Sequence, residues 1–341
     1  MKLKRNAIVY MALLFTGVLA VNGQTPEGGQ PVKHLSDINI RDPYIMPHQE
    51  SGYYYMYKSA SVHRDGKVLG GVEVYKSKNL SEWEGPVQVF TVPDDNWITG
   101  PVWAPEVHAY NGKYYLFATL NSDIEWKKRQ EGWPKYSFRG TQVFVADTPE
   151  GPFQPFDKVP HTPMDQMALD GTLWVEEGRP YMIYCQEWVE IVDGSMVLVE
   201  LTPDLSAPVG ERLTLFHASA AEWSTGSLHD ELGIRSYVTD GCFLYRTKTG
   251  KLLMIWSSFM NGEYAIGIAE SVTGKVAGPW RQQEKPIFTS NGGHGMIFRT
   301  FDNRLCITFH RPNSPGGEER AEIFELEDTG DTLELIQALK P

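Results

Sequence analysis

The chain is 341 residues long with a formal net charge of -12, an excess of acid that argues against nucleic acid or anionic lipid as a partner. Aromatic residues make up 12% of it, including ten Trp, a stock that suits a large β core or a surface that stacks on sugar rings. The three Cys (Cys185, Cys242, Cys306) are odd in number and each sits in an apolar stretch, so they read as small buried side chains rather than a disulfide framework.

Residues 1–23 read as an export signal. Lys2, Lys4 and Arg5 precede an apolar run from Ala7 to Val21, and Asn22 and Gly23 suit cleavage. The run is short for a membrane span, and the first Cys of the chain is Cys185, so no lipid-anchoring Cys follows it. The expectation is a secreted or periplasmic protein, without membrane insertion after cleavage, whose single domain occupies residues 24–341.

Beyond the signal no long stretch carries clean helical periodicity. Short β-rich runs are broken by Gly, Asn, Asp and Pro. One pattern recurs: a polar residue, a small residue or Pro, a short apolar run, a tight turn, then an aromatic or aliphatic strand. It runs as RDPYIMPHQESGYYYMYKS from Arg41, WAPEVHAYNGKYYLFAT from Trp103 and LDGTLWVEEGRPYMIYC from Leu169. It returns as TDGCFLYRTKTGKLLMIWS from Thr239 and GHGMIFRTFDNRLCITFH from Gly293. Each copy has a second half that opens with alternating strand residues and enters a turn, as in GVEVYKSKNLSEWEGP and AEIFELEDTGDTLELI. Two hairpins per copy make a four-stranded antiparallel sheet, and five copies predict an all-β, five-bladed β-propeller. A β-sandwich would not explain why every copy begins with the same element. The copies start about 55 to 70 residues apart, longer than simple propeller repeats, and the surplus must be loops. The longest of these, from Asn121 to Arg139, is polar and aromatic and reads as a loop over the site.

The first strand of a propeller blade lines the central channel. The polar residues that open the copies therefore converge near the axis: Asp42, Asp170 and Asp240 in copies one, three and four, Pro105-Glu106 in copy two and His294 in copy five. A single Asp at a strand start is ordinarily a turn or cap residue. Three acids at one axis repel one another and raise at least one pKa, which is the condition glycoside hydrolysis needs: one carboxylate ionised and another protonated.

These copies resemble glycoside hydrolase family 43, the five-bladed family of arabinofuranosidases, xylosidases and arabinanases, over about residues 36 to 330. The RDPYI segment matches the family motif of the general base, which implies that role for Asp42. The LDGTLWVEEGRPYMIY segment matches the motif of the residue that tunes the acid's pKa, which implies Asp170. TDGCFLYR aligns with the general-acid motif, but the family's Glu is replaced by Asp240, whose reach is shorter by about 1.5 Å, one carbon–carbon bond. Glu187 and Glu222, each beside a Trp (Trp188, Trp223), are the spare acids. The resemblance implies inversion of the anomeric centre.

His294 resembles the family's axial His, near which a structural Ca²⁺ is bound; the alternative is a buried His satisfied by hydrogen bonds. No cofactor is required, and no HExxH, paired CxxC or EF-hand loop occurs. Trp97, Trp103, Trp126, Trp133, Trp174, Trp188 and Trp223 fall near strand starts or in loops, while Trp256 and Trp280 are expected between blades. Trp103, Glu187, Trp188, Glu222 and Trp223 are the expected substrate-binding residues. The expected activity is an exo-acting α-L-arabinofuranosidase on plant-type oligosaccharides or polysaccharides. A β-xylosidase, an arabinanase and a catalytically impaired sugar-binding propeller are the alternatives. A protein-interaction propeller is disfavoured, since a scaffold needs no axial acids.

Overall fold

Segments such as Leu252–Met260 and Leu305–Arg311 are apolar on both faces. A strand carries such a pattern when sheets cover it from both sides, which is the situation of a blade between two neighbours. The computed structural model describes residues 30–93, 97–127 and 130–339, except the side chains of Trp126 and Lys127. The expected signal segment lies outside the described residues.

The unit Pro31–Pro341 is the expected five-bladed propeller. The inner strands are Tyr44–His48, Val102–Tyr110, Ala168–Glu176, Asp240–Arg246 and Gly293–Arg299. In every blade the next strands pair antiparallel in chain order toward the rim. Blade 1 carries a fifth strand, Val32–His34, on the outer edge of Glu82–Thr91. A two-stranded ribbon, Ser227–His229 with Ile234–Ser236, lies between the last strand of blade 3 and the first of blade 4. The segment expected as a loop over the site is instead mostly strand. Lys113–Lys127 and Tyr136–Ala146 continue the blade 2 hairpin outward, pairing Asn121 with Arg139 and Glu125 with Ser137.

The core lies between blades. Leu169, Ile183, Cys185 and Met196 of blade 3 meet Cys242, Leu252, Met254 and Trp256 of blade 4. Ile255 and Ile266 of blade 4 meet Ile297, Ile307 and Phe309 of blade 5. All three Cys are free and buried, and among the described residues no helix is long and apolar enough to cross a membrane.

Among the described residues no blade is shared between the two ends of the chain. Blades 1 and 5 are joined by a shared apolar core, by one isolated β-bridge between Asn39 and Arg320, with the Ile40 amide donating to the Glu319 carbonyl at 3.1 Å, and by polar and aromatic side chains. Tyr54 stacks on Phe301 with ring centroids 4.2 Å apart. Arg41 Nη1 donates to Glu319 Oε1 at 3.2 Å and Asn39 Nδ2 to the Gly317 carbonyl at 2.8 Å.

Candidate active site

Four of the five inner strands begin with a break in the ladder. Its register shifts between Trp103 and Glu106, Leu169 and Thr172, Asp240 and Phe243, and Gly293 and Met296. A residue of positive φ accompanies every start: Asp42 (52°), Ala104 (42°), Asp170 (54°), Gly241 (48°) and His294 (56°). Bulges of this kind re-aim side chains, and left-handed backbone at a residue other than Gly persists only where its surroundings hold it. Here the preceding blade holds it. Thr119 Oγ1 accepts the Asp170 amide at 2.8 Å, Ser257 Oγ accepts the His294 amide at 2.8 Å, and His310 Nδ1 accepts the Asp42 amide at 3.3 Å. The corresponding residue of blade 3, opposite Leu169 in the ladder, is Cys185. The Gly241 amide donates to Asp170 Oδ2 instead, at 3.2 Å.

This geometry corrects the equivalence expected from the sequence. Asp42, Asp170 and His294 share one repeat position with Ala104 and Gly241. Asp240 lies one residue earlier, with Arg41, Trp103, Leu169 and Gly293. Glu106 is not part of the pit; its carboxylate pairs with His108 Nε2 at 2.8 Å.

The deeper position gathers charge around one ring. His294 Nδ1 lies 3.2 Å from Asp42 Oδ1, 3.3 Å from Asp240 Oδ1 and 3.9 Å from Asp170 Oδ2. His310 Nδ1 lies 3.1 Å from Asp42 Oδ1, and the Tyr264 hydroxyl donates to Asp240 Oδ2 at 2.5 Å. Burial opposes a charge on His294, but the three carboxylates outweigh it and hold the ring well above its ordinary pKa. Burial likewise opposes ionisation of Asp42, and His294 and His310 outweigh it, so Asp42 is held low. Asp170 is pushed well above the carboxylate range by burial and then by Asp240, to which it is hydrogen-bonded. Asp240, although partly buried, accepts from Asp170, His294 and Tyr264 and is held low. The proton of the Asp170–Asp240 pair therefore sits on Asp170.

A cavity of about 320 Å³ opens over this cluster, within the size range of small-ligand sites. Asp42, Asp170, Asp240, Trp103, Glu187 and Trp188 all line it, together with Arg41 and Arg139. Glu187 is buried, which raises it to about 7 against the opposing charge of Arg139. Trp188 stacks on His229 with centroids 5.5 Å apart. Two expected substrate-binding residues are not brought here. Glu222 is exposed. Trp223 is buried in the blade 3–blade 4 core, 4.9 Å from Trp256. The Trp133 indole donates to the Val189 carbonyl, Trp97 packs on Phe138, and Trp174 borders the blade 3–blade 4 core. Trp256 and Trp280 lie between blades as expected. The Trp126 side chain lies outside the described residues. Arg139, Tyr264 and His310 were not singled out from the sequence, because they belong to second and third strands whose partners are set by blade packing.

Asp170, Asp240 and His294 offer donor atoms within 4.8 Å of one another. They fit Ca²⁺ poorly. That ion takes six to eight oxygen ligands, whereas this cluster supplies two carboxylates and a ring nitrogen that already carries the compensating positive charge.

A propeller whose inner strands deliver three carboxyl groups to a single pit, two held ionised and one protonated, is the architecture of a glycoside hydrolase. The chain belongs to glycosyl hydrolases family 43, whose model matches residues 35–328. The endo-arabinase from Bacteroides thetaiotaomicron is 35% identical, with a TM-score of 0.74 and coverage of 91% of this chain and 98% of that one. An endo-1,4-beta-xylanase from the same organism shares the fold at 22% identity, with a TM-score of 0.67 and coverage of 89% and 97%. Alpha-L-arabinofuranosidase 43 from Humicola insolens is 22% identical over 258 residues, which is 73% of this chain and 48% of that protein. The chain thus spans about half the length of that curated relative.

Proposed function

We propose that the protein hydrolyses α-L-arabinofuranosyl linkages of arabinan-type polysaccharides and binds the chain across the pit, with sugars on both sides of the cleaved bond. The observation that carries this reading is that further cavities adjoin the pit on two sides. A second cavity, of about 450 Å³, shares Trp103 with the first, and a third, of about 390 Å³, shares Arg41, Trp188, Val238 and Asp240 with it. A pit that took only a chain end would need no neighbours. The name of the 35% identical relative, an endo-arabinase, supports the same substrate class.

Asp42 is the general base of this proposal. Its contacts with His294, His310 and Arg41 all fall on Oδ1, which leaves Oδ2 to hold the attacking water. That water adds to the anomeric carbon on the face opposite the leaving oxygen and the configuration inverts. Protonation of the leaving oxygen falls to a second carboxyl of the same cavity.

Product analysis on linear arabinan tests the reading. Arabino-oligosaccharides of several lengths are expected early in the reaction. Arabinose alone would convert the proposal to exo action, and release from xylan but not arabinan would end it.

A further inference from the structure

An inverting acid and base stand roughly 6.5 to 9.5 Å apart, with water and the scissile bond between them. Asp42 and Asp240 are instead drawn together on one ring. One oxygen of each meets the same His294 nitrogen, at 3.2 and 3.3 Å. Two atoms that share such a partner lie no further apart than the lower edge of that range. The other Asp240 oxygen accepts from Tyr264 at 2.5 Å. Both oxygens of Asp240 are acceptors of protons that belong to other groups, and it has none to give.

Glu187 differs in each respect. It follows the strand Arg179–Gln186 and is fixed there by its amide, which donates to the Met167 carbonyl at 2.8 Å. Its carboxyl is buried, lines the same cavity and is outside the His294 cluster. Arg139 Nη1 donates to Oε1 at 3.2 Å. Oε2 lies 3.0 Å from the same nitrogen but makes no hydrogen bond among the described residues. Arg139 in turn rests over the Trp103 ring at 4.7 Å. A buried carboxyl oxygen without a hydrogen bond, beside a stacked guanidinium, is equipped to carry a proton and to be stabilised once it has lost it.

We infer that Glu187 is the proton donor to the leaving sugar, and that Asp240 positions the cluster rather than donating. The inference rests on the hydrolase reading above. The proton on Glu187 Oε2 passes to the glycosidic oxygen, and the anomeric C–O bond breaks with its electron pair going to that oxygen. Water forms the new C–O bond and its proton goes to Asp42. Glu187 is then an anion beside Arg139 and Asp42 is protonated, and exchange with solvent restores both. Burial keeps Glu187 protonated up to about pH 7.

Leaving-group chemistry tests the assignment, since a dinitrophenolate needs little protonation and a sugar alcohol needs much. Glu187→Gln should lower turnover of arabinan by about 10² to 10⁴, yet keep dinitrophenyl arabinofuranoside within about tenfold of wild type. The alkaline limb of the wild-type pH profile should vanish in that variant. Asp240→Asn should depress both substrates alike. Near-normal arabinan turnover by folded Glu187→Gln overturns the assignment, as does a leaving-group-dependent loss in Asp240→Asn instead. If Glu187→Gln does not fold, Glu187→Asp should show the same substrate dependence through its shorter reach, and an equal loss on both substrates counts against the assignment. A wild type that turns over neither substrate sinks the hydrolase reading itself, and this inference with it.

Discussion

At the scale of single residues, His294 decides the electrostatics of the pit. It is the counter-ion of the Asp42 and Asp240 carboxylates, and removing one member of a buried charge network leaves the others uncompensated, at a cost of about 3 to 5 kcal/mol. His294→Gln is therefore expected to lower the melting temperature sharply at pH 7. The sign with pH follows from the shifts. The folded pKa of His294 is raised, so its contribution is complete below the ordinary value and is lost as pH rises through the raised one. Asp42 and Asp240 are held low, so their contributions exist above the ordinary carboxylate range and fade as pH falls through their lowered values. The penalty of His294→Gln should accordingly shrink in strong acid, and an equal melting loss at pH 7 and in strong acid would refute the counter-ion role. Asp42→Asn should lower kcat on arabinan by about 10² to 10⁴ in a folded protein, the usual worth of a general base. Chelation with EDTA is expected to leave turnover unchanged, and a loss reversed only by Ca²⁺ would contradict the poor fit of the axial donors to that ion.

At the scale of strands, two Glu-Trp pairs with the same sequence signal took opposite places. Glu187-Trp188 lines the cavity, while Glu222-Trp223 turns its indole into the core and its carboxylate to solvent. The difference lies at Gly267 in the neighbouring strand. A Cβ there would stand 2.1 Å from Trp223 Cζ2, so the bare backbone makes the room that the indole fills. Gly267→Ala should destabilise by about 1 to 3 kcal/mol through overpacking, read by urea unfolding, with kcat per folded molecule unchanged. Glu222→Gln should leave both quantities within about 0.5 kcal/mol of wild type. The five copies were legible because alternation and turn residues are local properties, and so were Asp42, Asp170, Asp240 and His294. The one-residue offset of Asp240 was not, because a positive φ at Asp170 or His294 depends on a neighbouring blade catching the amide. Nor was the partnership of Arg139 with Glu187, which joins strands of two different blades.

At the scale of the whole molecule, the two ends of the chain meet without sharing a sheet. The seam between blades 1 and 5 is held by an apolar core, by the isolated Asn39–Arg320 bridge, and by Tyr54 on Phe301, Arg41 on Glu319 and Asn39 on the Gly317 carbonyl. Asp42, the proposed general base, sits on it. The Asp42 amide donates to His310 Nδ1 and its carboxylate lies 3.2 Å from His294 Nδ1, both rings belonging to blade 5. Proteins open locally at a lower free energy than they unfold globally, and such openings follow the sparsest contacts. A seam that parts by an ångström or two would misplace the water that Asp42 holds while every blade kept its own hydrogen-bond ladder. Catalysis then reports ring closure rather than secondary structure. In a urea series the midpoint of inactivation should precede the midpoint of far-ultraviolet ellipticity, and coincident midpoints would mean that this joint is as firm as the other four.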